Sequence, residues 1–365
     1  MTVRLHWFLP TTGDDRGVVG VTAADSLRSR DTGRPPTLDY LTQVARAAEA
    51  AGFEAVLTPT GSDCEDSWLT TAALIPQTTR LKFLVAFRPG VIAPPLAAQM
   101  AATYQRLSGG RLLLNIVTGS DADEQRSYGD FLGHDERYAR TDEFLGLLRT
   151  AWSGQPYDFE GVHYRVAGGT LRRPPRTPPP VFFGGSSQAA LPVAARHADT
   201  YLTWGEPPAA VARKIARVRE LADAQGRELS YGIRLHVISR DTAEEAWAEA
   251  DRILDTLDPA AVRAAQRRFA ASESTGQRAM AALSGGRTDD LEIHPNLWAG
   301  FGLVRPGAGT ALVGSHEQVA ERIEEYASLG LEHFVLSGQP HLEEAIRFGE
   351  CVRPLLASRG RLAAA

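Results

Sequence analysis

Short apolar, β-prone runs alternate with amphipathic helical segments along almost all of this 365-residue chain. The runs are Val3–Pro10, Ala55–Thr58, Leu81–Phe87, Leu112–Val117, Val181–Phe183, Thr200–Thr203, Tyr231–Ser239 and His333–Leu336. The segments between them repeat at helical period. Leu38–Ala51, for example, places Leu41, Val44, Ala45 and Ala48 on one face, with Gly52 where a helix would stop. Strands separated by helices pair in parallel, because a parallel return needs a long crossover. Eight such units in this length predict one closed (β/α)8 TIM barrel spanning residues 1–365. An open doubly wound sheet is the alternative. It is weakened by the lack of any GxGxxG or GxxxxGK[ST] turn.

Three stretches break the rhythm. Residues 11–36 form a long polar loop after the first strand. Tyr157–Val166 reads as a small β-excursion, followed by a Pro-rich surface crossing at Arg172–Pro180. Residues 258–300 read as an insertion after the seventh strand, placed where a lid could close. Its Arg263, Arg267, Arg268, Arg278 and Arg287 read as a solvated face.

Composition excludes several functions. Lys and Arg number 39 against 44 Asp and Glu, a net charge of −5, which gives no pull toward nucleic acid phosphates. No apolar run reaches the length of a membrane span. The N-terminus lacks the features of a signal peptide, so a cytoplasmic protein is expected. Cys64 and Cys351 are too few for a disulfide framework or a Cys-based zinc site, and no His spacing suggests a metal.

In a barrel of this kind the chemistry sits at the C-terminal ends of the strands. Gly184-Gly185-Ser186-Ser187 opens a helix there, with close backbone approach and free N–H groups. That suits a phosphate, or equally a plain N-cap. Arg234 and His236 lie two apart on the seventh strand and face one side. Their alternatives are an anion site and a structural ion pair. Arg305 lies in a Gly-rich loop, as a surface charge or a ligand contact. Cys64, Trp204 and His341 each have a core or cap reading beside a site reading, and His6 reads as a core histidine.

Several stretches together resemble the FMNH2-dependent alkanesulfonate monooxygenases of the bacterial-luciferase-like barrels. They include Trp7–Thr11, Pro59–Gly61, Cys64–Asp66, Asn115–Ser120, Phe183–Ser187, Tyr201–Pro207, Gly232–Ile238, Asn296–Gly300 and Pro340–Ala345. The resemblance implies a two-component system, in which an NAD(P)H-dependent reductase supplies reduced FMN. With O2 the enzyme then cleaves an organosulfonate to sulfite and an aldehyde. It implies that Asn115, Thr118, Tyr138, Gly185, Ser186 and Ser187 hold FMN. Arg234, His236, Arg305 and His341 would be catalytic, and Trp204, Cys64, Thr12 and Gln339 would line the substrate. It also implies a homo-oligomer, a dimer or tetramer. A sulfonate keeps its charge at any cellular pH, and arginine is always its counterpart.

The chain departs from that family in places. Thr12 stands where relatives have a histidine, and Gln339 where they have a tyrosine. The loop around Val18–Asp31 is longer, and the tail beyond Leu356 is shorter. Thr12 and Gln339 could hydrogen-bond a hydroxylated substrate, so a sugar sulfonate such as sulfoquinovose is one candidate. The competing readings are a luciferase-like FMN or F420 oxidoreductase acting on a non-sulfonate, and a non-catalytic flavin binder.

Overall fold

Eight parallel strands close on themselves in the computed structural model. They are β1 (Arg4–Phe8), β2 (Ala55–Thr58), β3 (Lys82–Phe87), β4 (Leu112–Ile116), β7 (Val181–Gly184), β8 (Thr200–Trp204), β9 (Ser230–Arg240) and β13 (His333–Ser337). Each pairs with the next, and β13 returns to β1, so the sheet has no open edge in this ring. The fold is a (β/α)8 TIM barrel. The structure describes residues 2–17, 33–119 and 121–362. The loop stretch around Val18–Asp31, Ser120 and the terminal Ala363–Ala365 lie outside them.

The strands read as nearly continuous apolar runs because both of their faces are covered. One parity points inward. Phe8, Leu57, Leu84, Leu113, Phe182, Leu202 and Val335 fill the barrel interior. The other parity, with Trp7, Val56, Phe83, Leu114, Phe183, Ile233 and Phe334, packs beneath the helices. This alternation delivers the polar residues. Asn115 follows Leu113 by two, Arg234 is paired with Val335, and Ser337 with His236. All of them therefore rise from the inner face toward the mouth.

The inner face also carries a polar floor. His6 and His333 stack at 5.2 Å and share a hydrogen bond, Nε2 to Nδ1, at 2.9 Å, with Phe182 edge-on to both. Burial is the main cause that lowers His6 to about 4 and His333 to about 3. In the unfolded chain both take up protons near pH 6.5. Between those values the unfolded state binds more protons, so stability should fall as pH drops from about 6.5 toward about 4. Each group contributes up to about 1.4 kcal/mol per pH unit. Urea midpoints at pH 7, 6 and 5 test this. A His6→Leu/His333→Leu variant should give a flatter profile, and equal slopes would reject the assignment.

Beyond the eight units, β5 (Tyr157–Glu160) and β6 (Arg165–Gly169) form a separate hairpin. The stretch after β9 holds helices Pro259–Ala270 and Thr275–Ser284, then β10 (Glu292–His294), β11 (Leu297–Trp298) and β12 (Ala311–Ser315). The sequence reading makes no assignment at β12. That strand exists because β9 is long. Its first half pairs with β8 through Thr200↔Ser230 to Trp204↔Arg234. Its second half overshoots and pairs with β12, from Ala311↔His236 to Ser315↔Arg240. This extra strand brings the Arg305 loop over the barrel mouth. Among the described residues no helix is long and apolar enough to cross a membrane.

Candidate active site at the barrel mouth

Two guanidinium groups share one aromatic ring. Arg234 lies 4.8 Å from the centroid of Phe8 and Arg305 lies 5.5 Å from it. Arg234 is buried, and it donates to the carbonyls of Leu235 and Val335 and to Ser337 Oγ. Among the described residues neither guanidinium has a carboxylate in contact, although Asp14 lies near enough to Arg305 to act on its charge. Among the described residues the structural ion pair considered for Arg234 is not made. Burial first, and then the other arginine, pushes Arg234 well below its usual value; burial draws Arg305 down to about 10. Cation–π contact offsets only a small part of the cost of an unmatched buried cation. An anion bound here would balance both guanidinium groups.

His236 is fully enclosed. Its Nε2 faces the Ala308 carbonyl at 3.1 Å and its Nδ1 faces Ser337 Oγ at 2.8 Å. Only the Nε2–H tautomer satisfies both, with the Ser337 hydroxyl donating to Nδ1 while it accepts from Arg234. Phe301 packs on the ring at 4.3 Å. Burial and the nearby arginines keep this imidazole neutral. Both nitrogens are used inside the fold, so His236 holds Ser337 and Arg234 in place and has no nitrogen left to exchange a proton.

His341 is arranged differently. Its Nδ1 donates to Asp14 at 2.8 Å, and its backbone N–H donates to the same carboxylate at 2.7 Å. The Tyr40 hydroxyl donates to Asp14 as well. Burial would raise the Asp14 carboxyl, but His341 and Tyr40 outweigh it and leave it below the usual range. His341 Nε2 remains buried without a partner, and the ring lies 5.6 Å from Phe8. A carboxylate-held imidazole with one free nitrogen can take or give a proton. Asp14 also pairs by backbone with Arg34, which joins the two ends of the long loop. Asp14, Tyr40, Ser337 and Phe8 escape the sequence reading as site residues. For Ser337 the inward parity of the last strand was a usable signal.

The Gly-Gly-Ser-Ser turn forms a second corner. Gly185 has no room for a side chain, since a Cβ would lie 2.8 Å from Ala190 Cβ and 3.0 Å from the Tyr138 hydroxyl. The Tyr201 hydroxyl donates to the Gly185 carbonyl at 2.7 Å. Burial raises the Tyr138 phenol, while the hydroxyls of Thr118 and Ser187 pull it back. Ser187 Oγ also caps the following turn through Ala190 N. The structure so brings Thr118, Tyr138, Gly185 and Ser187 together, with Ser186 against Tyr201. Asn115 is half-buried on the inner face of β4 and makes no side-chain hydrogen bond among the described residues.

The insertion side closes over Trp204. A Cβ at Gly276 would lie 3.1 Å from its ring. Gln277 accepts from Gly307 N, Gln266 donates to the carbonyls of Gly302 and Leu303, and Arg137 pairs with Glu273. Cys64 is half-buried, and burial drives its thiol up to about 11, so it is not a ready nucleophile. Thr12 is half-buried without a side-chain hydrogen bond among the described residues. Gln339 is 4% exposed, and neither its Oε1 nor its Nε2 has a partner among the described residues.

A closed barrel with an anion-receptive mouth and a tight Gly-Ser corner defines a class of site. Residues 3–333 match the luciferase-like monooxygenase family, and the chain belongs to it. Solved structures of similar fold include riboflavin lyase RcaE, determined with modified FMN and riboflavin. Its TM-score is 0.82 at 23% identity, over 100% of this chain and 93% of that one. EDTA monooxygenase (EmoA) from Chelativorans sp. BNC1 gives 0.80 at 21%, over 100% and 95%. An F420-dependent secondary alcohol dehydrogenase with an F420-acetone adduct gives 0.69 at 17%, over 97% and 99%.

Proposed function

We propose that this enzyme uses reduced FMN and O2 to cleave the carbon–sulfur bond of an organosulfonate. The balance is one sulfonate, one FMNH2 and one O2 giving an aldehyde, hydrogen sulfite, FMN and water. One observation carries the reading: Arg234 and Arg305 converge on Phe8 with no carboxylate in contact with either among the described residues. A sulfonate is a permanent anion with three acceptor oxygens, and guanidinium forks suit it.

The Gly-Ser corner fits the flavin, because only a glycine at 185 leaves space beside Tyr138. Asn115, Thr118, Tyr138, Ser186 and Ser187 would hold it. Reduced flavin, when bound, supplies the two electrons that activate O2. The chain's own work is to seat the anion on Arg234 and Arg305, fix Arg234 through Ser337 and His236, and exchange a proton at His341 Nε2. Trp204 and the helix Thr275–Ser284 shield the mouth from water. The partner is an NAD(P)H-dependent FMN reductase, and the enzyme works as a homo-oligomer.

The test is anaerobic titration with reduced FMN, then O2 and a panel of sulfonates, reading sulfite. Binding of F420H2 in place of FMNH2, with no sulfite from any sulfonate, would overturn the proposal in favour of the F420 reading. Gly185→Val is expected to weaken reduced-FMN binding by about tenfold or more, the factor that follows from about 1.4 kcal/mol of overpacking. Fluorescence titration measures it, and unchanged affinity would remove the corner from the flavin site.

A further inference from the structure

We propose that Gln339 sets the substrate class, and that the enzyme prefers sulfonates bearing neighbouring hydroxyl groups over plain alkanesulfonates. This rests on the sulfonate reading above. Gln339 stands two residues after Ser337, which holds Arg234, and two before His341, which packs on Phe8. It is 4% exposed, yet among the described residues both polar atoms of its amide lack a partner, as does Nε2 of His341 two positions on. Among the described residues the fold therefore leaves two atoms of an amide and one of an imidazole unmatched, the amide two positions along the chain from the residue that holds Arg234. Buried polar atoms are rarely left so, and each one weighs against the folded state.

The chemistry of the unmatched atoms narrows what meets them. Oε1 only accepts and Nε2 only donates. A carbonyl on the substrate would satisfy Nε2 alone, and an ammonium would satisfy Oε1 alone. A pair of neighbouring hydroxyls can donate to one atom and accept from the other. The amide is neutral, so it adds no call for a second charge. An alkane chain in the same place leaves every atom unmatched. A site built to hydrogen-bond a hydroxyl discriminates strongly against the analogue that lacks it.

Two pairs of substrates matched in heavy atoms test this: 2-hydroxyethanesulfonate against propanesulfonate, and 2,3-dihydroxypropanesulfonate against pentanesulfonate. Initial sulfite release is read with the reductase, FMN and O2 present. The expected result is a kcat/KM for the dihydroxy compound at least about tenfold above its alkyl match, with Gln339→Leu bringing the ratio to about one or below. A native ratio at or below one overturns the inference, as does a ratio that Gln339→Leu leaves unchanged. In both cases sulfite is still released and the sulfonate reading stands; sulfite from no sulfonate ends both. The ligand-free melting temperature adds a second arm. Gln339→Leu should match or exceed the native value, because the amide has no partner to lose. A clear fall would show that the fold itself uses the amide, which also overturns the inference.

Discussion

Arg234→Met is expected to lower kcat/KM for the sulfonate by about a thousandfold while the melting temperature holds or rises. On the proposed function the two effects separate, because Arg234 would serve the ligand while its burial weighs against the fold. It is buried, and its partners are two carbonyls, one hydroxyl and the face of Phe8, with no carboxylate to balance it. Removing the charge relieves an unmatched desolvation. Ser337 still donates to His236, so the support beneath is not undone. Arg234→Lys should recover only a small part of the rate, since an ammonium cannot present the planar fork. Steady-state sulfite release and thermal unfolding read the outcome. A variant that loses activity only because it melts would argue that the guanidinium is structural. Retained activity would argue that the anion binds elsewhere.

Asp14→Asn is expected to reduce kcat on the order of a thousandfold, by changing which nitrogen of His341 carries the proton. Asp14 accepts from His341 Nδ1, from the His341 backbone and from Tyr40. An amide can turn only its oxygen or its NH2 group toward Nδ1. With the oxygen kept for the backbone N–H, its NH2 faces Nδ1 and drives the proton to Nε2. That nitrogen then donates where it had been free to accept. Steady-state kcat and melting temperature read the outcome, and a loss of activity that only tracks a fall in melting temperature would point to simple loosening of the loop base at Asp14 and Arg34.

Much of this was legible in the chain. The two-faced apolar strands and their alternation with helices define the barrel, and the barrel places its chemistry at strand ends. The i, i+2 spacing of Arg234 and His236 was enough to put both on the inner face. Local signals could not tell two like-looking residues apart, however. His236 and His341 both read as site histidines. Contacts 72 to 327 positions away along the chain close both nitrogens of the first and leave one of the second free.

The sequence by itself determined the periodicity, and with it the barrel, the inward parity and the charge types offered at the mouth. These follow from spacing along the chain, which folding does not alter. Tertiary structure alone decided which charges would be matched. Among the described residues it placed no carboxylate in contact with Arg234 or Arg305, gave Asp14 to His341, and left the Gln339 amide without a partner. The physical reason is that pairing energy depends on distance and burial between groups far apart in the chain, and only the closed barrel fixes those.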